Sequence, residues 1–162
     1  DFLRPIFRND PDDRRRIIKA ACMLHDVTWR AHPDYRAEVC FDNATRANLG
    51  GLNHPERIFL GLALLHRYKN NRGSSPFQPL FDLIDEDQLR KAEILGKALR
   101  FGAMLTASEH ENMGELRYFP KKQKLELRLV PGTRDLFGEV AEARLNSLAD
   151  ALGGVEVLVK GR

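Results

Sequence analysis

Apolar positions at Ile17, Ile18, Ala21, Leu24 and Thr28 recur at the spacing of one helical face. Asp10 suits the cap of that helix, Pro11 its first helical position, and Asp12 and Asp13 the positive end of its dipole. The pattern should fade near Trp29 or before Pro33, because a residue preceding proline avoids the helical region. The segment "FDNATRANLGGL" reads as a loop or short helix, punctuated by Gly50 and Gly51. "NHPERIFLGLALLHRYKN" predicts a second helix, capped by Asn53 or His54, with Pro55 in its first turn. Its centre, Ile58 to Leu65, is apolar almost all round, which predicts a central buried helix. After the loop "NNRGSSPFQPL", the stretch "DQLRKAEILGKALRFGAMLTAS" predicts a third long helix. Leu89, Ala92, Leu95, Leu99, Ala103 and Thr106 share its face.

The grammar changes after Gly114. In "KLELRLV", Leu125, Leu127 and Leu129 face one way and Glu126 and Arg128 the other, the period of a strand. "ELRYF" is its predicted partner, with "PKKQ" as the turn. "TRDLFGEVAEARLNSLADALGG" predicts a helix whose stripe is Phe137, Val140, Ala141, Leu145, Leu148 and Leu152, ended by Gly153. "VEVLVK" predicts a last strand. The expected fold class is α+β: a mainly helical domain over residues 1–111, then a small β-β-α-β module over 112–162. The module's helix must cover one face of its sheet, since a hairpin alone is marginal.

Composition narrows the function classes. With 162 residues, 43% apolar and 30% charged, the chain can bury a real core. A net charge of +3 is too weak to argue for nucleic acid. No apolar run is long enough for a membrane, and no signal peptide is visible. Cys22 and Cys40 make no disulfide framework, so reduced thiols in a cytoplasmic protein are expected. Because Asp1 stands where a methionine would, a fragment of a longer protein is expected.

Four clusters carry candidate chemistry. His25-Asp26 offers an imidazole and a carboxylate to a metal. Its ordinary reading is a half-buried histidine bonded to a carbonyl near a helix end, with Asp26 at the surface. In "WRAHPDYRAE", Arg30, His32 and Arg36 suit phosphate oxygens, with Tyr35 adding a hydroxyl. Alternatively Arg30 and Arg36 pair with Asp34 and Glu38. In "LLHRYKNNR", His66, Arg67, Lys69 and Arg72 either answer the helix dipole or line a phosphate groove. The groove requires that this helix end lie beside Arg30 to Arg36. "KKQK" with Arg128, and Arg14 to Arg16, read more simply as a solvated turn and as local partners of Asp10, Asp12 and Asp13. No phosphate-cradling glycine loop, nucleophile elbow or acidic magnesium cluster is present in the sequence, so no catalytic residue is assigned.

In order, "AACMLHDVTWRAHPDYRAE", "HPERIFLGLALLHRYK", "AEILGKALRFGAMLTAS" and "LELRLVPGTRDLFGEVAEARLNSLADAL" resemble the C-terminal half of the exopolyphosphatase/guanosine-pentaphosphatase family. The resemblance covers about Ala20 to Leu152. It implies a helical domain related to the His-Asp hydrolases, and catalytic domains with magnesium in an N-terminal half not contained in this chain. It implies an accessory role: binding inorganic polyphosphate, supporting processive cleavage, pairing with its own catalytic domains, and forming a homodimer. The phosphate contacts expected are Arg30, His32, Arg36, His66, Arg67 and Lys69. No cofactor is expected in this part, which by itself is expected to be inactive. The alternatives are a metal phosphohydrolase using His25 and Asp26, and a purely structural dimerisation module. Nucleic acid and membrane are not expected partners.

Overall fold

A computed structural model of the chain describes every residue except Asp1, Asp12, Asn48, Ser74, residues 106–112 and Arg162. It is α+β, with six α-helices and one three-stranded sheet among the described residues. The chain forms two compact units, Asn9–Leu99 and Asp1–Arg8 with Arg100–Arg162. The expected domain boundary after residue 111, and the expected place of Thr106 in a helical face, lie outside the described residues.

The first unit is helical. α1 spans Asp13–Leu24, α2 Arg36–Arg46, α3 His54–Tyr68 and α4 Gln78–Phe81. α5 runs over Glu86–Leu105 and continues past this unit. α3 starts as its sequence requires. Asn53 accepts from the backbone N–H of Glu56, and Glu56 accepts from the N–H of Asn53, each at 2.9 Å. This reciprocal capping box satisfies two donors that a helix start leaves free. Ile58 to His66 are all buried, so α3 is the central helix the apolar run predicted. Asp85 and Gln88 cap α5 in the same way.

α1 does not begin or end where the pattern predicted. The Asp10 carboxylate turns to Arg14 and Lys91, and the helix begins three residues later. It stops at Leu24. The chain then descends through turns in which the N–H groups of Val27, Trp29 and Ala31 donate to the carbonyls of Leu24, Asp26 and Thr28. Val27, Thr28 and Trp29 are weak helix formers, and tertiary partners take over the backbone groups released. Arg36 donates to the carbonyls of Trp29 at 2.6 Å and Ala31 at 3.0 Å. The Thr28 hydroxyl lies 2.7 Å from the Cys40 thiol. His25 and Asp26 therefore sit in the turn, not on a helical surface.

α2 answers the open choice between loop and short helix. Ala37, Cys40, Phe41 and Ala44 are its buried face, at helical spacing. It packs on α3 at Gly61, where an added Cβ would lie 2.9 Å from the Phe41 ring. Phe41 also stacks on Phe77 at 4.5 Å and meets Phe81 edge-on at 5.6 Å.

The second unit holds β1 (Gly114–Phe119), β2 (Lys124–Leu129), α6 (Glu139–Ala151) and β3 (Glu156–Gly161). β2 is central, antiparallel to β1 and parallel to β3. The β1–β2 connection is a 3-10 turn over Pro120–Lys122, closed by Gln123 in the left-handed region. α6 makes the crossover that a parallel pair requires. Leu125, Leu127 and Leu129 are buried, as are Ala141, Leu145, Leu148 and Leu152 of the helical stripe. Val140 departs from that stripe at 60% exposure. α6 begins only at Glu139, after a separate 3-10 turn over Arg134–Leu136, so Val140 lies in its first turn. Gly153 and Gly154 both carry positive φ, the conformation that ends the helix without a side-chain penalty.

Candidate functional site

The end of α3 comes to the segment between α1 and α2, the neighbourhood a shared groove requires. Tyr68, the last residue of α3, joins them. Its hydroxyl donates to the carbonyl of His25 at 3.0 Å and to Asp26 Oδ1 at 3.2 Å. Both Arg36 and Arg67 place their guanidinium groups on the Tyr68 ring, 5.5 Å and 4.8 Å from its centre. Cations favour the negative face of an aromatic ring, so two arginines are held close despite like charge.

Two ion pairs tie the same surfaces together. Arg67 Nη2 lies 3.6 Å from Asp26 Oδ1. Lys69 Nζ lies 2.7 Å from Glu38 Oε1. Arg67 is well covered while Asp26 is largely exposed, and the Lys69–Glu38 pair is half-covered. Arg36 does not pair with a carboxylate as the local alternative supposed. It is held by backbone carbonyls, because its planar fork matches two oxygens of one turn. Glu38 goes to Lys69, and Asp34 lies 3.6 Å from His32.

Arg30 and His32 are on the outer part of this segment, Arg30 exposed and His32 with most of its ring in solvent. Arg30 rests 5.0 Å from the centre of the Trp29 ring, and the rings of His32 and Tyr35 are 5.8 Å apart. His66 is placed differently from the other five candidates, with 1% of the residue exposed. Its Nδ1 donates to the carbonyl of Lys69 at 3.3 Å, and its Nε2 is buried with no hydrogen-bond partner. Burial pushes the imidazole down to about 4, against the opposing pull of nearby Glu93. The ring is therefore neutral at pH 7.

The His25–Asp26 pair has mixed surroundings. His25 Nδ1 is buried without a hydrogen-bond partner, so it does not make the carbonyl bond of the ordinary reading. Asp26 is engaged by Tyr68 and Arg67. Among the described residues no three histidine, cysteine or acidic side chains gather in a way that could hold a metal ion. Arg72, at 4.0 Å from Glu93, answers a carboxylate of α5.

The other basic clusters are also engaged. Arg14 pairs with Asp10 at 3.2 Å and lies over the Phe59 ring, 4.1 Å from its centre. Arg16 reaches Glu56 at 3.5 Å and the carbonyl of Gly51; the side chains of Asp12 and Asp13, its expected local partners, lie outside the described residues. In the sheet, Arg128 at 2.6 Å, Lys160 at 2.9 Å and Lys124 at 3.8 Å converge on Glu126. Glu126 is almost fully covered although strand alternation put it on the outer face. The adjacent cationic positions of β2 and β3 cover it, a signal present in the sequence only once the parallel register is known.

A protein-family model described as "Exopolyphosphatase, C-terminal" matches residues 7–159. The chain belongs to this family. The match to the exopolyphosphatase C-terminal family enters both compact units, from before α1 to within β3. No curated protein matches the chain. Among the described residues of this exopolyphosphatase C-terminal chain, no helix is long and apolar enough to cross a membrane.

Proposed function

We propose that this exopolyphosphatase C-terminal chain is an accessory module that binds inorganic polyphosphate for catalytic domains lying elsewhere in the protein. The observation that carries this reading is the gathering of Arg36 and Arg67 on the Tyr68 ring, with Lys69 following in sequence and paired with Glu38, and with Arg30 and His32 outward on the segment before α2. Polyphosphate is a flexible chain of closely spaced negative charges, and arginine forks suit its oxygens. Arg30, His32, Arg36, Arg67 and Lys69 are its contacts. His66, neutral and covered, supports the end of α3 from beneath. The helical unit is a relative of the His-Asp hydrolases in which the phosphate surface has replaced the metal site. In the whole protein the module extends the polyphosphate path, favours processive cleavage and takes part in a cytoplasmic homodimer. Magnesium belongs to the catalytic domains.

Titration of the chain with long-chain polyphosphate at low and high salt tests this reading. Affinity falls steeply with salt, because each engaged cation displaces counterions from the polyanion. Absence of binding at low salt refutes it. Metal analysis separates the hydrolase alternative: a stoichiometric transition metal, lost in His25→Ala, would favour it instead.

A further inference from the structure

Of the five proposed contacts, Arg36 is held by backbone carbonyls, and two more are held by carboxylates drawn from elsewhere in the unit. Arg67 is held by Asp26 and Lys69 by Glu38. Both carboxylates come from the segment running from the end of α1 into α2, and both cations from the end of α3. Glu38 is well placed to hold on, with Oε1 on Lys69 and Oε2 buried without a hydrogen-bond partner. Asp26 is fixed from a second direction by the Tyr68 hydroxyl. An incoming phosphate must therefore replace carboxylates already in position.

We propose that Asp26 and Glu38 are internal anions that set the selectivity of this surface for phosphate chains over single phosphates. The proposal rests on the phosphate-binding reading above and deepens it. A single phosphate facing Arg67 and Lys69 exchanges one anion for another and gains little. A chain also engages Arg30, which is exposed beside the Trp29 ring, and His32, whose nearest carboxylate, Asp34, is itself exposed. Those added contacts drive displacement of the two carboxylates. Asp26 and Glu38 thus act against short anions more than against long ones, a form of specificity built from repulsion.

The test compares the chain with Asp26→Asn, Glu38→Gln and the double variant. Orthophosphate, tripolyphosphate and long-chain polyphosphate are the probes. The amides keep the shape of each side chain, and the amide oxygen introduced at position 26 can still accept from Tyr68. Asp82→Asn, an exposed carboxylate outside the cluster, controls for the loss of any negative charge. The expected result is a gain of roughly three- to tenfold for orthophosphate and for tripolyphosphate in the double variant, the scale of freeing two partly exposed ion pairs. The gain is smaller for long chains and for Asp82→Asn, so the long-to-short preference falls. If the unmodified chain binds long chains and the amides leave that preference unchanged, or weaken all binding, the selectivity role is overturned while phosphate binding stands. If no protein in the series binds long chains at low salt, both readings fail. The single variants decide the outcome if the double variant does not fold.

Discussion

His66 gives the sharpest physical test of the helical unit. Its imidazole is buried, and burial holds it at about 4 against an ordinary value of 6.5. Glu93 pulls the other way, while Lys97 and Arg72 add to the depression. An unfolded chain exposes the ring and lets it take a proton near pH 6.5. Between pH 6.5 and 4 the unfolded state therefore binds more protons than the folded one, and stability falls as the pH falls through this window. Full stability from this group is present above 6.5. Linkage over the shift gives a loss of about 2 kcal/mol between pH 7 and pH 5 from this residue alone. Urea unfolding followed by fluorescence of Trp29, the single tryptophan, reports on the unit that contains it. His66→Gln removes the titration, so its stability should depend about 2 kcal/mol less on pH across the same interval. Parallel pH profiles for the two proteins would refute the assignment. So would a ring-proton NMR titration of His66 with a midpoint near 6.5.

Three further outcomes follow from the packing. Gly96→Ala should destabilise the chain by about 1–3 kcal/mol despite a helix-propensity gain of about 1 kcal/mol. Its Cβ would fall inside contact distance of the Ala63 carbonyl and the His66 Cβ, and a backbone oxygen cannot step aside. Gly102→Ala in the same helix meets nothing within 4 Å among the described residues and should stabilise by about 0.5–1 kcal/mol, so chemical denaturation of the pair should give opposite signs. Arg36→Lys should lower stability by about 1–3 kcal/mol, because a point charge cannot serve the Trp29 and Ala31 carbonyls together. Hydrogen exchange should show the 25–36 turn opening while α5 stays protected. Finally, Lys160 and then Arg128 hold the Glu126 carboxyl down at about 2. Its contribution is present above pH 4.5 and lost as pH falls toward 2, so Glu126→Gln should flatten thermal stability over that range. An unchanged acid profile would count against the three-cation arrangement.

Local signals made the second unit legible in detail. The alternation of Leu125, Leu127 and Leu129, the helical stripe through Leu145 and Leu148, and the Gly153 stop need only near neighbours to act. The capping box of Asn53 and Glu56 is likewise complete within four residues. Patterns of this kind fix element type because backbone geometry sets their period. α2 was less legible, since it has no side-chain cap and its run of Asp42, Asn43 and Thr45 favours loops. Burial against α3 forms it regardless.

Sequence also determined which residue types crowd the candidate surface, and the order of motifs carried the family resemblance. It did not determine which of those residues face outward. His66 and Arg67 are adjacent near the end of one helix, yet one is sealed and neutral and the other lies on the Tyr68 ring beside Asp26. Ion partners are chosen by distance in space, across 31 residues for Lys69 and Glu38. The turn after α1 is likewise held by partners distant in sequence, with Arg36 on the Trp29 and Ala31 carbonyls and Cys40 beside the Thr28 hydroxyl. Periodicity set the elements because it is a short-range property of the backbone. Burial and charge pairing waited for tertiary structure, because desolvation and Coulomb forces depend on neighbours that the linear order does not name.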